Sequence, residues 1–321
     1  MAATIFDIAK LAQTSKSTVS RVISGNGYVK AETRERVLQA IHELNYVPNQ
    51  IARDLKYQRT QTIGFLTNTY YTNVGDFIRA FASTAKQYHY QTSIYLVDNE
   101  EDELNTLNLL VTHQIDGAFL LSKVNDWQKI TPYTRFGPIA TWRRLDSAQI
   151  YSSYVDHYPL YLRAMTYLKQ QGVHKIGHIF NDRASINTIA RLEAVKTFEI
   201  ENPTIDQTWR QFFWTVEGAG EMAAAQWLKQ DNPPEAVITY SDYVAVHFIK
   251  CLRAAGYRVP EDCQVIGFEN DTFGRLFDLT TFDPHVDLQA ANSFYYLYNQ
   301  INHVHLPYQK IEPEMIIRKT C

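Results

Sequence analysis

The stretch IFDIAKLAQTSKSTVSRVI, residues 5–23, decides the fold of the amino-terminal part of the chain. Its apolar residues recur at helical spacing on both sides of a short polar turn, Gln13-Thr14-Ser15. Ala9 is small where two helices must cross closely, and Ser15 is suited to cap the second helix. A third apolar stripe follows at residues 37–44. Residues 4–46 therefore predict three short helices with a thin core, arranged as a helix-turn-helix.

The second helix is predicted to carry polar and basic side chains on the face opposite its Val19 and Val22 edge. In a helix-turn-helix, the start of the second helix enters the major groove of DNA. The side chains predicted to read bases there are Lys16, Ser17 and Arg21. Short hydroxyls suited to phosphate oxygens follow at Thr18, Ser20 and Ser24. Arg21 can bond a guanine edge with two hydrogen bonds, and a contact to phosphate alone is its alternative.

The charge distribution agrees with a nucleic-acid partner for the first part of the chain. The whole sequence of 321 residues has a net charge of -3. Residues 1–60 hold nine Lys and Arg against five Asp and Glu, so this part is basic and the remainder is acidic. A basic amino-terminal part before an acidic remainder is typical of a domain that binds the phosphates of nucleic acid, although chance asymmetry is the alternative.

Residues 48–61 form a connector that can become helical only with support. Pro48-Asn49 can precede a helix, with Asn49 as its cap. Ile51, Ala52 and Leu55 then share one face of two helical turns. A helix of this length is not stable in isolation.

From residue 62 onward, the sequence alternates between short apolar runs and stretches of helical periodicity. This alternation predicts parallel sheets with crossover helices, and therefore an α/β class. The predicted strands are Thr62–Thr67, Thr92–Val97, Gly117–Leu121, Pro138–Trp142, Lys175–Phe180, Ala236–Tyr240 and Val265–Phe268. Seven strands indicate two lobes, roughly residues 62–157 and 158–283, with a shared carboxyl-terminal segment. A ligand is expected beyond the carboxyl ends of the strands, between the lobes.

Several motifs together resemble the LacI/GalR family of bacterial repressors. They are Thr18-Val19-Ser20-Arg21, Thr33-Arg34, Leu44-Asn45-Tyr46-Val47-Pro48-Asn49, Ala52-Arg53-Asp54-Leu55 and Thr62-Ile63-Gly64, followed by Val265-Ile266-Gly267-Phe268 and Leu279-Thr280-Thr281. The order and spacing match throughout residues 4–64. The resemblance implies a small all-α head, residues 1–47, a hinge and linker at 48–61, and a periplasmic-binding-protein-like two-lobed α/β core at 62–321.

The resemblance also implies how the head meets DNA. It implies a homodimer on a pseudo-palindromic operator, with a hinge helix at residues 49–56. Tyr28, Thr33 and Asn49 fall where the family contacts phosphates, and Leu55 falls where it wedges into the minor groove. Packing between paired hinge helices is the alternative role for Leu55. Many members have Gly in the turn where this chain has Gln13, a departure that costs about 1 kcal/mol if the residue is left-handed.

The core is expected to bind a small-molecule effector, a sugar or a sugar derivative. Ser185-Ile186-Asn187-Thr188-Ile189-Ala190-Arg191 resembles the family's pocket helix, and a surface salt bridge is the alternative for Arg191. Trp214 is a platform for a sugar ring or a core residue. The full predicted set is Asn68, Tyr70, Arg143, Arg191, Trp214, Asp242 and Glu269. Arg143 stands where the family commonly has an acid.

Other functions find less support in the sequence. A solute-binding protein without DNA function would explain residues 62–321 but not residues 1–60. An enzyme is not expected, because there is no phosphate-binding glycine loop, nucleophile motif or metal-spaced histidine cluster. No cofactor and no metal are expected, and the three widely spaced cysteines favour reduced thiols. The sequence has no signal peptide and no membrane span, so we expect a cytoplasmic protein.

Overall fold

The computed structural model describes residues 3–25, 27–46, 59–69, 72–214 and 216–321. The chain clusters into two compact units, Met1–Arg59 and Thr60–Cys321. Most of the predicted hinge lies outside the described residues, so its helix and the boundaries at residues 47 and 61 stay predictions. No helix in the described part of the chain has the length and apolar character needed to cross a membrane.

The first unit contains the three helices that the periodicity predicts. They are α1 (Ile5–Leu11), α2 (Lys16–Ser24) and α3 (Ala31–Glu43). The Ser15 hydroxyl caps α2 by accepting a hydrogen bond from the Thr18 amide at 3.1 Å. The shared core consists of seven small or medium side chains, Ile8, Ala9, Ala12, Val19, Val22, Val37 and Ala40. A core this thin leaves the bundle little stability to spare.

Gln13, in the turn between α1 and α2, is left-handed with φ 48°. An L residue with a side chain is strained in this region, which glycine adopts without cost. The cost of about 1 kcal/mol expected for a left-handed residue other than glycine therefore applies to Gln13.

The first lobe of the second unit is built on a five-stranded parallel sheet. Its strands are β1 (Thr62–Thr67), β2 (Gln91–Leu96), β3 (Gly117–Leu120), β4 (Ile139–Thr141) and β5 (Ile150–Ser152), in the order β2-β1-β3-β4-β5. Its helices are α4 (Thr72–Gln87), α5 (Glu100–Val111) and α6 (Trp127–Ile130), which a 3-10 turn follows at Thr131–Arg135. Phe65, Phe77, Phe81 and Phe119 form the centre of its core, with ring centroids 4.9–6.5 Å apart.

The second lobe repeats the design with a four-stranded parallel sheet. Its strands are β6 (Ile176–Phe180), β7 (Arg210–Phe212), β8 (Ala236–Ile238) and β9 (Gln264–Ile266), in the order β7-β6-β8-β9. Its helices are α7 (His157–Gln170), α8 (Ile186–Glu201), α9 (Ala219–Trp227), α10 (Asp242–Ala254) and α11 (Thr272–Leu276). All seven predicted strands are present in the two sheets; β5 and β7, of three residues each, were not predicted.

The carboxyl-terminal segment belongs to both lobes. The last elements are β10 (Thr281–Asp283), α12 (Val286–Asn302) and β11 (Glu314–Ile316). Helix α12 packs on α4 and adds Phe294 to the first lobe's aromatic core, 5.9 Å from Phe81. Strand β11 then pairs antiparallel with β10, whose Phe282 is part of the second lobe's core. The chain therefore passes between the lobes three times, so neither lobe is a continuous stretch of sequence.

A buried carboxylate joins three segments at the carboxyl edge of the second sheet. Asp242 is fully buried; its Oδ2 accepts from the Asp271 amide at 3.0 Å and its Oδ1 from Thr281 Oγ1 at 2.5 Å. A Cβ atom on Gly267 or Gly274 would lie 2.2 Å from this carboxylate, so both positions must be glycine. Burial raises the pKa of Asp242 to about 7, and the nearby charge of Asp271 adds to the rise. Asp242 was predicted to bind effector, but both of its oxygens are committed to the fold.

Replacing Gln13 with glycine is expected to stabilise the first unit by about 0.5–1 kcal/mol, because it removes the strain of a left-handed side chain. Hydrogen exchange of the α2 amides in the full chain measures this, as slower exchange in the variant. The matched control is Gln39→Gly on the exposed face of α3, which should cost about 1 kcal/mol. Equal destabilisation by both changes would contradict the assignment of strain to the turn.

The raised pKa of Asp242 predicts a core unit that loses stability between pH 6 and pH 8. Its ordinary, unfolded value is 3.8 and its folded value about 7, so the stabilisation is complete below the first and lost through the second. We expect a loss of about 1 kcal/mol, or about 2–4 °C in Tm. Asp242→Asn, which resembles the protonated acid, should flatten this slope in thermal unfolding scans.

Two neighbouring carboxyls limit how flat that slope can become. Burial also raises the pKa of Glu269 and Asp271, both of which face Asp242, while Arg318 opposes the rise. The control is Asp262→Asn, because pairing with Arg258 lowers the pKa of that exposed carboxyl and keeps it ionised throughout the range. An unchanged slope in Asp242→Asn would mean that Asp242 is ionised at pH 6.

Candidate nucleic-acid interface and ligand cavity

Helix α2 buries one edge and exposes the other. Val19 is fully buried and Val22 is 6% exposed, whereas Lys16, Ser17 and Arg21 are exposed. The exposed edge therefore holds the three residues that were predicted to read bases. Their contacts with DNA stay a prediction.

The Lys16 ammonium rests on an aromatic ring that the sequence reasoning missed. Its Nζ lies 3.3 Å from the ring centroid of Phe6, which is 61% exposed on α1. A cation over a ring face is attracted by the ring quadrupole. The ring thus holds the ammonium beside the start of α2. The signal in the sequence was an aromatic residue at a polar position of α1, but pairing it with Lys16 requires the crossing geometry of the two helices.

The hydroxyls at the start of α2 form a small network around its cap. Ser15 Oγ lies 2.8 Å from Ser17 Oγ and 2.9 Å from Thr18 Oγ1. Ser24 Oγ donates to the Arg21 carbonyl at 3.4 Å, and Ser20 is half-buried. These contacts fix the hydroxyls of Ser17, Thr18 and Ser24, and their contacts with phosphate stay a prediction.

The remaining predicted DNA contacts are divided between described and undescribed residues. Tyr28 is 86% exposed in the loop before α3, and Thr33 is half-buried in the first turn of α3. Asn49 and Leu55 lie outside the described residues.

A cavity of about 860 Å³ separates the two lobes. It is lined from the loops and helix starts that follow the strands of both sheets, where ligands of parallel sheets bind. Six aromatic residues contribute to its wall, Trp142, Tyr154, Tyr240, Tyr243, Phe268 and Phe273. Its volume lies within the range of small-molecule sites.

Arg191, on α8, is the most deeply buried cation of the cavity. It is 4% exposed, and its Nη2 donates to the Tyr240 carbonyl at 3.2 Å and to His157 Nδ1 at 3.1 Å. Its guanidinium lies 4.9 Å from the centroid of the Phe268 ring. Burial and the charge of Arg191 lower the pKa of His157 well below its usual value, so this imidazole is a neutral acceptor. Burial also lowers the pKa of Arg191, to about 10.

Glu269 links the second lobe to the first across the cavity. Its Oε1 accepts a hydrogen bond of 2.6 Å from Nδ2 of Asn73 on α4, 196 residues away in the sequence. Its backbone has φ 138°, a conformation that glycine favours. Burial and the charges of Asp242 and Asp271 raise the pKa of Glu269 well above its usual value. Glu269 therefore combines a strained backbone with a hydrogen bond between the two lobes.

Arg143 lines the cavity two residues after the end of β4 and is exposed to solvent, and the other predicted effector residues differ in where they lie. Tyr70 lies outside the described residues, and Asp242 is committed to the fold as described above. Asn68 is exposed and does not line the cavity, whereas its neighbour Thr69 does. Trp214 is 83% exposed and outside the lining, because it follows the edge strand β7 and faces solvent.

Comparison with known protein families matches both parts of the chain. Residues 4–49 match the bacterial regulatory proteins of the lacI family, and residues 165–321 match a periplasmic binding protein-like domain. The NTD biosynthesis operon regulator NtdR of Bacillus subtilis (strain 168) is 30% identical, with 89% of each chain covered. The transcriptional repressor PurR of Pasteurella multocida (strain Pm70) is 29% identical, over 99% of this chain and 98% of the relative.

Solved structures share the fold over the whole chain. The lac repressor dimer bound to operator and the anti-inducer ONPF has a TM-score of 0.86 at 23% identity, covering 100% of this chain and 99% of that one. The transcriptional regulator CelR in complex with cellobiose has a TM-score of 0.70 at 23% identity, covering 99% and 100%. The predicted fold, an all-α head and a two-lobed α/β core with parallel sheets, is confirmed. With this fold and an operon regulator that is 30% identical over 89% of its length, the chain belongs to the lacI family of bacterial regulatory proteins.

Proposed function

We propose that this chain is a sequence-specific DNA-binding transcriptional regulator, a repressor, whose operator affinity is set by a small molecule in the interlobe cavity. The observation that carries the proposal is the outward basic edge of α2, held by the burial of Val19 and Val22. PurR, a transcriptional repressor, is among the relatives that match over nearly the whole chain. A homodimer on a pseudo-palindromic operator follows from the lac repressor, whose dimer binds operator in the solved structure.

On DNA, ten side chains of the first unit have a proposed role. Arg21 bonds a guanine edge, and Lys16 and Ser17 read neighbouring bases. The groups proposed for phosphate contacts are Thr18, Ser20, Ser24, Tyr28, Thr33 and Asn49. Leu55 from each protomer wedges into the minor groove at the operator centre, which opens a base step and bends the duplex. Support for these roles comes from the family positions and, where described, from exposure.

The effector is proposed to be a carbohydrate or a derivative of one. The aromatic wall offers ring faces to a sugar, and Arg191, Asn187 and Glu269 offer polar groups beside it. CelR binds cellobiose in its solved structure, and a LacI regulator from Lactobacillus casei has been solved with sucrose. Ligand and operator affinities must change each other by the same factor, because the coupling free energy is reciprocal.

Two other readings have less support. A solute-binding protein without DNA function leaves the amino-terminal unit without a task, and the named relatives are regulators. A catalytic function is likewise not proposed, since those relatives are regulators of transcription. We place the protein in the cytoplasm, where the chromosome of a bacterium lies.

Arg21→Ala is expected to relax sequence preference at one base pair of each half-site. Selection of duplexes from a random library by the full chain gives the preferred operator, and titration gives the losses. The variant should lose about 1–3 kcal/mol of discrimination at that position. Arg36→Ala on α3 removes the same charge from the same unit and should keep the selected sequence. An Arg21→Ala protein that selects the same sequence as the wild type would reject the base contact.

Leu55→Ala is expected to weaken the selected duplex more than random duplex, because a wedge acts only where the operator centre can open. Binding titrations at fixed salt compare the two affinities. The control is Leu38→Ala on the exposed face of α3, which removes the same apolar side chain elsewhere. Equal losses for both duplexes in Leu55→Ala would favour packing between hinge helices over the wedge.

A further inference from the structure

The charged side chains that line the cavity differ in whether they have an ion-pair or hydrogen-bond partner within the protein. Arg79 pairs with Asp76, at 3.6 Å between Nη2 and Oδ1. Glu269 accepts from Asn73, and Asp271 accepts from the Gly274 amide at 2.8 Å as the cap of α11. Glu217 also has a partner. Each acid of the cavity wall is therefore engaged within the protein.

Two arginines of the same wall, the buried Arg191 and the exposed Arg143, make no ion pair with the described residues. The guanidinium of Arg143 makes no hydrogen bond or ion pair with that part of the chain, although it lines the cavity. Arg191 makes its two hydrogen bonds to neutral acceptors, the Tyr240 carbonyl and the His157 ring. Its Nε is buried and has no partner in the described ranges, and the same holds for Oδ1 of the neighbouring Asn187.

Arg191 is a buried cation without an ion pair, which is costly, and an anion with the right geometry offsets that cost. Arg143 is exposed to solvent and carries no such cost. The planar guanidinium presents paired donors that match a carboxylate or a phosphate. The charge of Glu269 raises the pKa of Arg191, but Glu269 makes no ion pair with that guanidinium, and burial together with the charges of Asp242 and Asp271 favours its neutral form. An anionic group on the ligand would therefore balance the buried charge of Arg191, and the exposed Arg143 on the same wall offers it a second contact.

We propose that the effector is an anionic carbohydrate derivative, whose carboxylate or phosphate lies on Arg143 and Arg191 while its ring lies against the aromatic wall. The inference rests on the proposed function, because it concerns the same effector cavity. It narrows the ligand from carbohydrates in general to those that carry a negative group.

The test is calorimetric titration of the full chain at constant ionic strength with four probes: glucose, gluconate, glucose 6-phosphate and inorganic phosphate. We expect gluconate or glucose 6-phosphate to bind at least about tenfold more tightly than glucose, since a hydrogen-bonded charge pair is worth about that much. The stronger of the two identifies a carboxylate or a phosphate as the anionic group. The bound probe should also raise the Tm of the chain, because it binds only the folded state.

Three variants assign the binding to the two arginines. Arg143→Gln and Arg191→Lys should each weaken the anionic probe about 10–100-fold and weaken glucose by a clearly smaller factor, because only the anionic probe loses a charge pair. Arg79→Gln is the matched control, because Arg79 lines the same cavity but already has Asp76 as its partner. It should change the affinity for the anionic probe by less than about twofold.

Several results would overturn the inference. They are glucose binding as tightly as the anionic sugars, inorganic phosphate binding as tightly as either, anion binding that is indifferent to Arg143→Gln, and no binding of any anion. Selection of DNA duplexes by the same protein preparation distinguishes a failure of this inference from a failure of the proposed function. A chain that selects an operator but binds no anion remains a regulator and loses only the anionic effector.

Discussion

The burial of Val19 and Val22 is the constraint on which the DNA-binding account depends. Helix α2 is nine residues long and has one apolar edge, and that edge packs against a core of seven small or medium side chains. A helix that rotated about its axis would expose this edge and lose most of the core that the unit has. The same packing therefore sends Lys16, Ser17 and Arg21 outward, so stability and the presentation of the reading face come from one interaction.

The second unit obeys a different constraint, because its lobes share one chain that passes between them three times. Helix α12 completes the first lobe and β11 returns to the second, so the lobes cannot separate as independent bodies. Between them, the bond from Asn73 to Glu269 spans the cavity and holds a strained backbone. A ligand that competes for Asn73 or Glu269 would break this bond and shift the equilibrium between arrangements of the two lobes. Such a shift requires that the ligand interact differently with the two arrangements.

Much of the fold could be predicted from the sequence because its signals are local. Ser15 caps α2 as its position indicated, and Gln13 is left-handed where the family pattern has glycine. The seven longest strand signals all correspond to strands. The strands β5, β7, β10 and β11 were not predicted, because their three residues mix polar with apolar side chains. Strands β4, β8 and β9 are equally short, but they lie within longer, mostly apolar runs of the sequence.

The site could be predicted only in part, because its decisive contacts are distant in sequence. Asp242 and Glu269 both follow strands and look alike as acids, yet close packing of Gly267 and Gly274 commits Asp242 to the fold. Glu269 meets its partner 196 residues away. The support of Lys16 by Phe6 likewise depends on how two helices cross. No local pattern carries such information.

The central claim is that the second helix reads base edges through the guanidinium of Arg21. The most direct measurement is a double-mutant cycle between this side chain and the selected duplex, in which single guanines are replaced by 7-deazaguanine, which lacks the N7 acceptor. The account predicts that one such replacement in each half-site weakens wild-type binding about tenfold and leaves the affinity of Arg21→Ala unchanged. Equal losses for the wild type and the variant at every guanine would contradict it.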